Sequence, residues 1–113
     1  MTWASNIVTI LPDTIIPASG QVNSSGNNTL LTPASGKFLR LFYVSYNPLA
    51  AVECAFRFGA AGELWLRNNI TGHSIVSKEF GPRRSLDGEV GAALVLNLSG
   101  SVAVIWNAFY AEV

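Results

Sequence analysis

Short apolar segments alternate with turn residues along the whole chain. The turn residues fall at Pro12-Asp13, Ser19-Gly20, Ser25 to Asn28, Pro33 to Gly36, Asn47-Pro48, Gly59 to Gly62, Asn68-Asn69, Gly81-Pro82, Asp87-Gly88 and Ser99-Gly100. Gly, Pro, Asn and Asp at such spacing break regular structure, because they supply the backbone angles and local hydrogen bonds that turns need. The segments between them are rich in Val, Ile, Phe, Tyr, Trp and Leu, and none repeats every 3.6 residues over a helical length. This spacing predicts an all-β chain, an antiparallel β-sandwich of jelly-roll type. Leu49 to Cys54 is the weakest place for that reading, since Ala50 and Ala51 could begin a single helical turn.

Individual strands follow from the two-residue period. Ala92 to Leu98 and Val102 to Tyr110 flank Ser99-Gly100 and read as a C-terminal hairpin, with Gly100 supplying a positive φ at the turn. Leu94, Leu96 and Leu98 share one face of the first arm. On the second arm Val102, Val104, Trp106, Ala108 and Tyr110 alternate with Ala103, Ile105, Asn107, Phe109 and Ala111, so both faces are largely apolar. Two apolar faces predict a second covering layer, either an N-terminal segment or a neighbouring subunit. Lys37 to Tyr46 makes another strand, with Phe38, Arg40, Phe42, Val44 and Tyr46 opposite Leu39, Leu41, Tyr43 and Ser45. Val52 to Phe58 and Gly62 to Asn68 are neighbours joined by a Gly59 to Gly62 turn, and Ser74 to Phe80 is a further strand.

At 113 residues the chain fits one domain. Within it, residues 1–35 read as an N-terminal arm with short strands, interrupted by Pro12 and Pro17, and residues 36–113 as the sandwich core. No internal repeat divides it. The single Cys54 has no intrachain partner and reads as a small buried thiol within the apolar run Val52 to Phe58.

Charge changes the picture most. Only 12% of the residues are charged, half the usual share, and seven basic against seven acidic residues leave no net charge. Such a surface has little repulsion to keep copies apart, which predicts that much of it is normally covered. Nucleic acid is not an expected partner, because Arg83-Arg84 is the only adjacent basic pair. Nor is a membrane, since no run approaches about 20 apolar residues. The opening Met1 to Asn6 lacks the basic leader of a secretory signal, so folding in a cytoplasm is expected.

The chemical inventory argues against an enzyme. His73, the one histidine, follows Thr71-Gly72 in a turn, and a zinc site would need three or four ligands of a kind that is scarce here. There is no Gly-X-Ser-X-Gly elbow, and Gly59 to Gly62 lacks the Lys of a phosphate loop. No catalytic, cofactor or metal residue is expected, and no cofactor. The candidate protein-contact residues are Trp3, Trp65, Arg83, Arg84, Trp106 and Tyr110, since Trp, Tyr and Arg are favoured at protein contacts. Three tryptophans also leave open a carbohydrate-binding module with an exposed indole platform.

The closing run Gly88-Glu89-Val90-Gly91-Ala92-Ala93-Leu94-Val95-Leu96-Asn97-Leu98-Ser99-Gly100-Ser101-Val102-Ala103-Val104, with Tyr110-Ala111-Glu112-Val113 at the end, resembles the last hairpin of small β-sandwich proteins in tailed-bacteriophage virions. That resemblance implies a capsid decoration or cement protein, a homotrimer on the capsid exterior bound to a major capsid protein. A tail-fibre or receptor-binding part is the alternative within the same group.

Overall fold

The computed structural model describes residues 15–70, 74–80 and 85–113. They form nine strands: β1 (Ile16–Val22), β2 (Gly26–Leu31), β3 (Leu39–Pro48), β4 (Val52–Phe58), β5 (Trp65–Ile70), β6 (Val76–Glu79), β7 (Leu86–Asp87), β8 (Leu94–Leu98) and β9 (Val104–Glu112). No helix occurs among the described residues; Leu49 to Ala51, where a helical turn was conceivable, is a bend.

Two antiparallel sheets pack as a sandwich. One has the order β1-β9-β3-β6, with β7 also pairing β3, and the other the order β2-β8-β4-β5. The pairings β4 with β5, β3 with β6, β2 with β8 and β1 with β9 nest inside one another. The chain therefore behaves as one long hairpin, folded at the β4–β5 turn and rolled so that β3 meets β9 and β4 meets β8. This is the jelly roll, the architecture expected from the turn spacing. Gly59, at φ 74°, makes the tip of the long hairpin where a Cβ would be strained.

Residues 16–31, placed by sequence in an arm with short strands, contribute β1 to one sheet and β2 to the other. The C-terminal pair differs from expectation. β8 and β9 are not a hairpin: β8 joins β2 and β4, while β9 joins β1 and β3 in the opposite sheet. Their apolar faces meet across the interior, Leu94, Leu96 and Leu98 from one layer and Val104, Trp106 and Ala108 from the other. Ser99 belongs to the crossing. Its N–H donates to the Glu53 carbonyl at 3.0 Å, and its Oγ accepts from the Glu53 N–H at 2.9 Å. Gly100 is not among the positive-φ glycines, which are Gly26, Gly36, Gly59 and Gly91. Turn-prone residues fix neither strand ends nor partners by themselves: Ser19-Gly20 lies inside β1 and Asn68-Asn69 inside β5, while Ser99-Gly100 separates strands of opposite sheets.

Strict alternation also fails on β3. The register slips between Leu41 and Tyr43, so the buried core side chains are Leu39, Leu41, Val44, Tyr46 and Pro48, with Ser45 also buried, rather than either alternating series. A bulge inserts one residue and changes which side chains point inward. Arg40 lies 5.4 Å above the Phe38 ring and bonds Asp87 through both carboxylate oxygens, at 3.0 and 3.2 Å.

The core centres on aromatic rings set by β3, β4 and β5. Phe56 meets Tyr46 edge-on at 5.6 Å and stacks on Trp65 at 5.1 Å. The Tyr46 hydroxyl donates to the Leu66 carbonyl at 3.2 Å and accepts from Asn68 Nδ2 at 3.1 Å. Burial pushes that hydroxyl up to about 12, and the Asn68 bond opposes the shift. Leu66 itself sits at φ 50°, in the left-handed region. Its carbonyl is held there by Tyr46.

Candidate functional site

Charge is segregated across the sandwich. No charged residue lies between Thr14 and Gly36 or between Val90 and Ala111. These two stretches supply β1 and β2, and β8 and β9. β1 lies beside β9 in one sheet and β2 beside β8 in the other. Because only Asn23 to Ser25 separates β1 from β2, the four strands make one flank of the molecule. Glu112, the last residue of β9, is its only charge and accepts from the Ala34 N–H at 2.7 Å. Strands β3, β4, β5, β6 and β7 carry Arg40, Glu53, Arg57, Arg67, Lys78, Glu79 and Asp87.

On the outer side of the β1-β9-β3 sheet, cross-strand partners share a face. Pro17, Phe109 and Tyr43 make one row; Ser19, Asn107 and Ser45 the next; Gln21, Ile105 and Asn47 the third. Phe109 is 46% exposed and Ile105 39%, and the Tyr43 ring lies 5.7 Å from that of Phe109. The covering layer expected over β9 is absent among the described residues. Charge resumes at β6, where Glu79 stands opposite Tyr43.

The outer side of the second sheet is chemically different. Asn27 Oδ1 accepts from Asn97 Nδ2 at 2.8 Å and from Arg57 Nη1 at 3.5 Å, and Asn27 Nδ2 donates to the Ala60 carbonyl at 3.3 Å. Polar groups there are already engaged. No such network is shown among the described residues for the rows on the first sheet, where Pro17, Phe109, Tyr43 and Ile105 alternate with Ser19, Asn107, Ser45, Gln21 and Asn47.

The residues expected to make contacts are dispersed. Trp106 is 6% exposed and belongs to the core, so it offers no contact surface. Gly20 lies beneath it, where a Cβ would stand 3.0 Å from the indole Nε1. Tyr110 is half-buried against the core. Trp65 is half-buried in a stack with Phe56, Phe58 and Phe80, and its Nε1 has no hydrogen-bond partner among the described residues. Trp3, His73, Arg83 and Arg84 lie outside the described residues. Sequence reasoning passed over Pro17, Tyr43, Ile105 and Phe109. For Ile105 and Phe109 the signal was present in the two-sided pattern of β9, which predicted a cover from an N-terminal segment or a neighbouring subunit.

Two further features bear on chemistry. A cleft of about 260 Å³ is lined by Phe58, Trp65, Glu63, Asp87 and Glu89, with Gly62, Gly88 and Ala92. Asp87 is engaged: hydrogen bonds from Arg40, and a lesser one from Ser85 at 2.9 Å, hold its carboxyl below the usual range against partial burial. The Cys54 thiol is buried, and burial first, with the nearby Glu53 charge second, pushes it up to about 11. It stays a thiol at neutral pH. Among the described residues no three His, Cys, Asp or Glu are grouped to hold a metal ion.

No family model matches the sequence, and no curated protein matches it. Among solved structures, the chain is similar to one from the cryo-EM structure of the giant freshwater prawn Macrobrachium rosenbergii extra small virus virus-like particle. The TM-score is 0.44 at 10% identity, over 88% of this chain and 80% of that one.

Proposed function

We propose that this protein is a non-enzymatic structural component of a virion that works by burying its surface against neighbouring protein. Within that role the reading is a capsid decoration protein that binds the lattice of a major capsid protein and stabilises the shell from outside. The observation that carries it is the outer side of the β1-β9-β3 sheet, where Ile105 and Phe109 stand exposed among the described residues, between neutral polar groups, on a flank whose only charge is Glu112 at the end of β9. Exposed apolar groups on a neutral flank favour burial against another protein, and repeated burial of modest patches is how a shell gains stability. Jelly rolls serve capsids, lectins and cupins alike, so the fold leaves the choice to the surface.

The test is co-sedimentation of the purified chain with intact capsids and, separately, with tails. Binding to capsids that Phe109→Lys abolishes supports the reading. Binding to tails alone moves the protein to a fibre or receptor-binding part. The cleft beside Trp65 favours a second reading, glycan binding, because an indole with carboxylates nearby suits a sugar ring. Tryptophan fluorescence that shifts on titration with glycans, in a protein indifferent to capsids, would put that reading first.

A further inference from the structure

The uncharged flank ends in open strand edges, and these differ from ordinary edges. A free edge presents unpaired N–H and C=O groups that will accept any strand, and soluble proteins guard against this with Lys, other charges or short strands. Among the described residues β1 is the edge of its sheet over Ile16–Val22, and no residue from Thr14 to Gly36 in the sequence carries a charge. Pro17 is its only blunting feature. Beside β1 the outer face continues through Pro17, Phe109 and Tyr43 and through Gln21 and Ile105. β2 is also an uncharged edge, but its Asn28 side chain is already spent on the Ser24 and Leu96 carbonyls at 2.7 and 3.3 Å.

We infer that β1 is a self-pairing edge, which joins two copies of this chain about a twofold axis into one continuous sheet in the order β6-β3-β9-β1-β1-β9-β3-β6. The occupant must offer a second free strand edge, and a neutral apolar flank to lie against this one. A second copy offers both, and two neutral flanks meet without repulsion or loss of ion hydration. Ser19 is the midpoint of β1, so full antiparallel overlap sets the two Ser19 residues opposite each other and each Pro17 opposite a Gln21. The two Phe109 and Ile105 rows then flank the seam. The contact is independent of residence in a virion. It replaces the threefold association expected from the resemblance with a twofold one, since a trimer closes through two different surfaces.

Sedimentation velocity over a concentration series tests it on the full chain. The wild type dimerises. Ser19→Lys, an exposed position on the outer face, weakens the dimer by about fivefold or more through the opposed charges. Ser19→Glu does the same, and mixing the two variants restores a heterodimer, which a mere gain in solubility would not produce. Gln21→Lys gives the same loss and serves where Ser19→Lys does not fold. A monomer at every concentration, a trimer, or a dimer untouched by both lysine substitutions overturns the inference. Capsid binding by a strictly monomeric protein would leave the proposed role standing and remove this contact alone.

Discussion

The two flanks of this sandwich share one core and differ in what they show to water. On the β3-β6 and β4-β5 side, side chains such as Arg40, Arg67 and Glu53 hold the surface in solvent, with Arg67 Nε bonded to Glu53 Oε1 at 2.6 Å. On the β1-β9 and β2-β8 side Glu112 at the end of β9 is the only charge, and among the described residues that side shows two open edges and an outer face of neutral polar groups with Pro17, Ile105 and Phe109. The fold requires an apolar interior from both flanks equally, but nothing in folding requires one exterior to be neutral. The difference fits the proposed association, because ionic groups that cost little at a solvated face would oppose burial at a contact.

If the flanks share a core, truncating it from either side should be equally severe. Phe56→Ala, from β4, is expected to lose about 3–5 kcal/mol, and Leu96→Ala, from β8, about 2–5 kcal/mol, read by urea unfolding. A neutral result on one side would mean that the sheets do not pack as a unit.

A smaller loss separates the buried polar groups. Tyr46→Phe removes the hydroxyl between Leu66 and Asn68 and is expected to cost about 1–2 kcal/mol. The same region sets the alkaline limit. The folded Cys54 holds its proton to about 11, while an unfolded thiol releases it near about 8.5. Stability is thus complete below the unfolded value and falls as pH rises through the folded one. Cys54→Ala should flatten that alkaline limb in unfolding curves taken between those pH values.

Next come changes that touch the surface alone. Ile105→Lys should alter unfolding free energy by no more than about 0.5 kcal/mol, since the position is exposed. Association read by light scattering should fall far more. The contrasting substitution, Lys78→Ile on the charged flank, should leave the wild-type association unchanged; if it raises association as much as Ile105→Lys lowers it, the flanks are not distinct. Ionic strength sharpens the same point, because salt screens the Arg67–Glu53 pair but meets only Glu112, at the end of β9, on the other flank. Association that weakens as salt is raised would contradict the comparison.

The smallest effect belongs to Asp87. Its carboxyl is held below the usual range, so its contribution is present above the unfolded value near about 3.9 and disappears as pH falls through the folded one. The pair is partly exposed, and Asp87→Asn should cost about 0.5 kcal/mol and remove that acid-side dependence, as thermal unfolding across acidic pH would record.

Much of the fold was legible in local chemistry. Gly59 to Gly62 marked the hairpin tip, and Val52 to Phe58 and its neighbour were read correctly as partners, because a short turn leaves adjacent strands little else to pair with. The same logic misled at Ser99-Gly100, where adjacent strands enter opposite sheets. The bulge at Leu41 to Tyr43 was invisible to a two-residue period, since one inserted residue leaves composition unchanged. The candidate surface was legible only in part. Phe109 and Ile105 announced a second apolar face, but whether the chain itself covered that face depended on strand order.

What the sequence determined by itself is the all-β class, the approximate positions of β3, β4, β5, β6, β8 and β9, and the uncharged stretches, because each follows from residue type and near neighbours. What only the tertiary structure decided is that β1 and β2, far from β9 and β8 in the chain, lie beside them. That juxtaposition arises from rolling a long hairpin, where the first strand pairs with the last, and no local propensity encodes it.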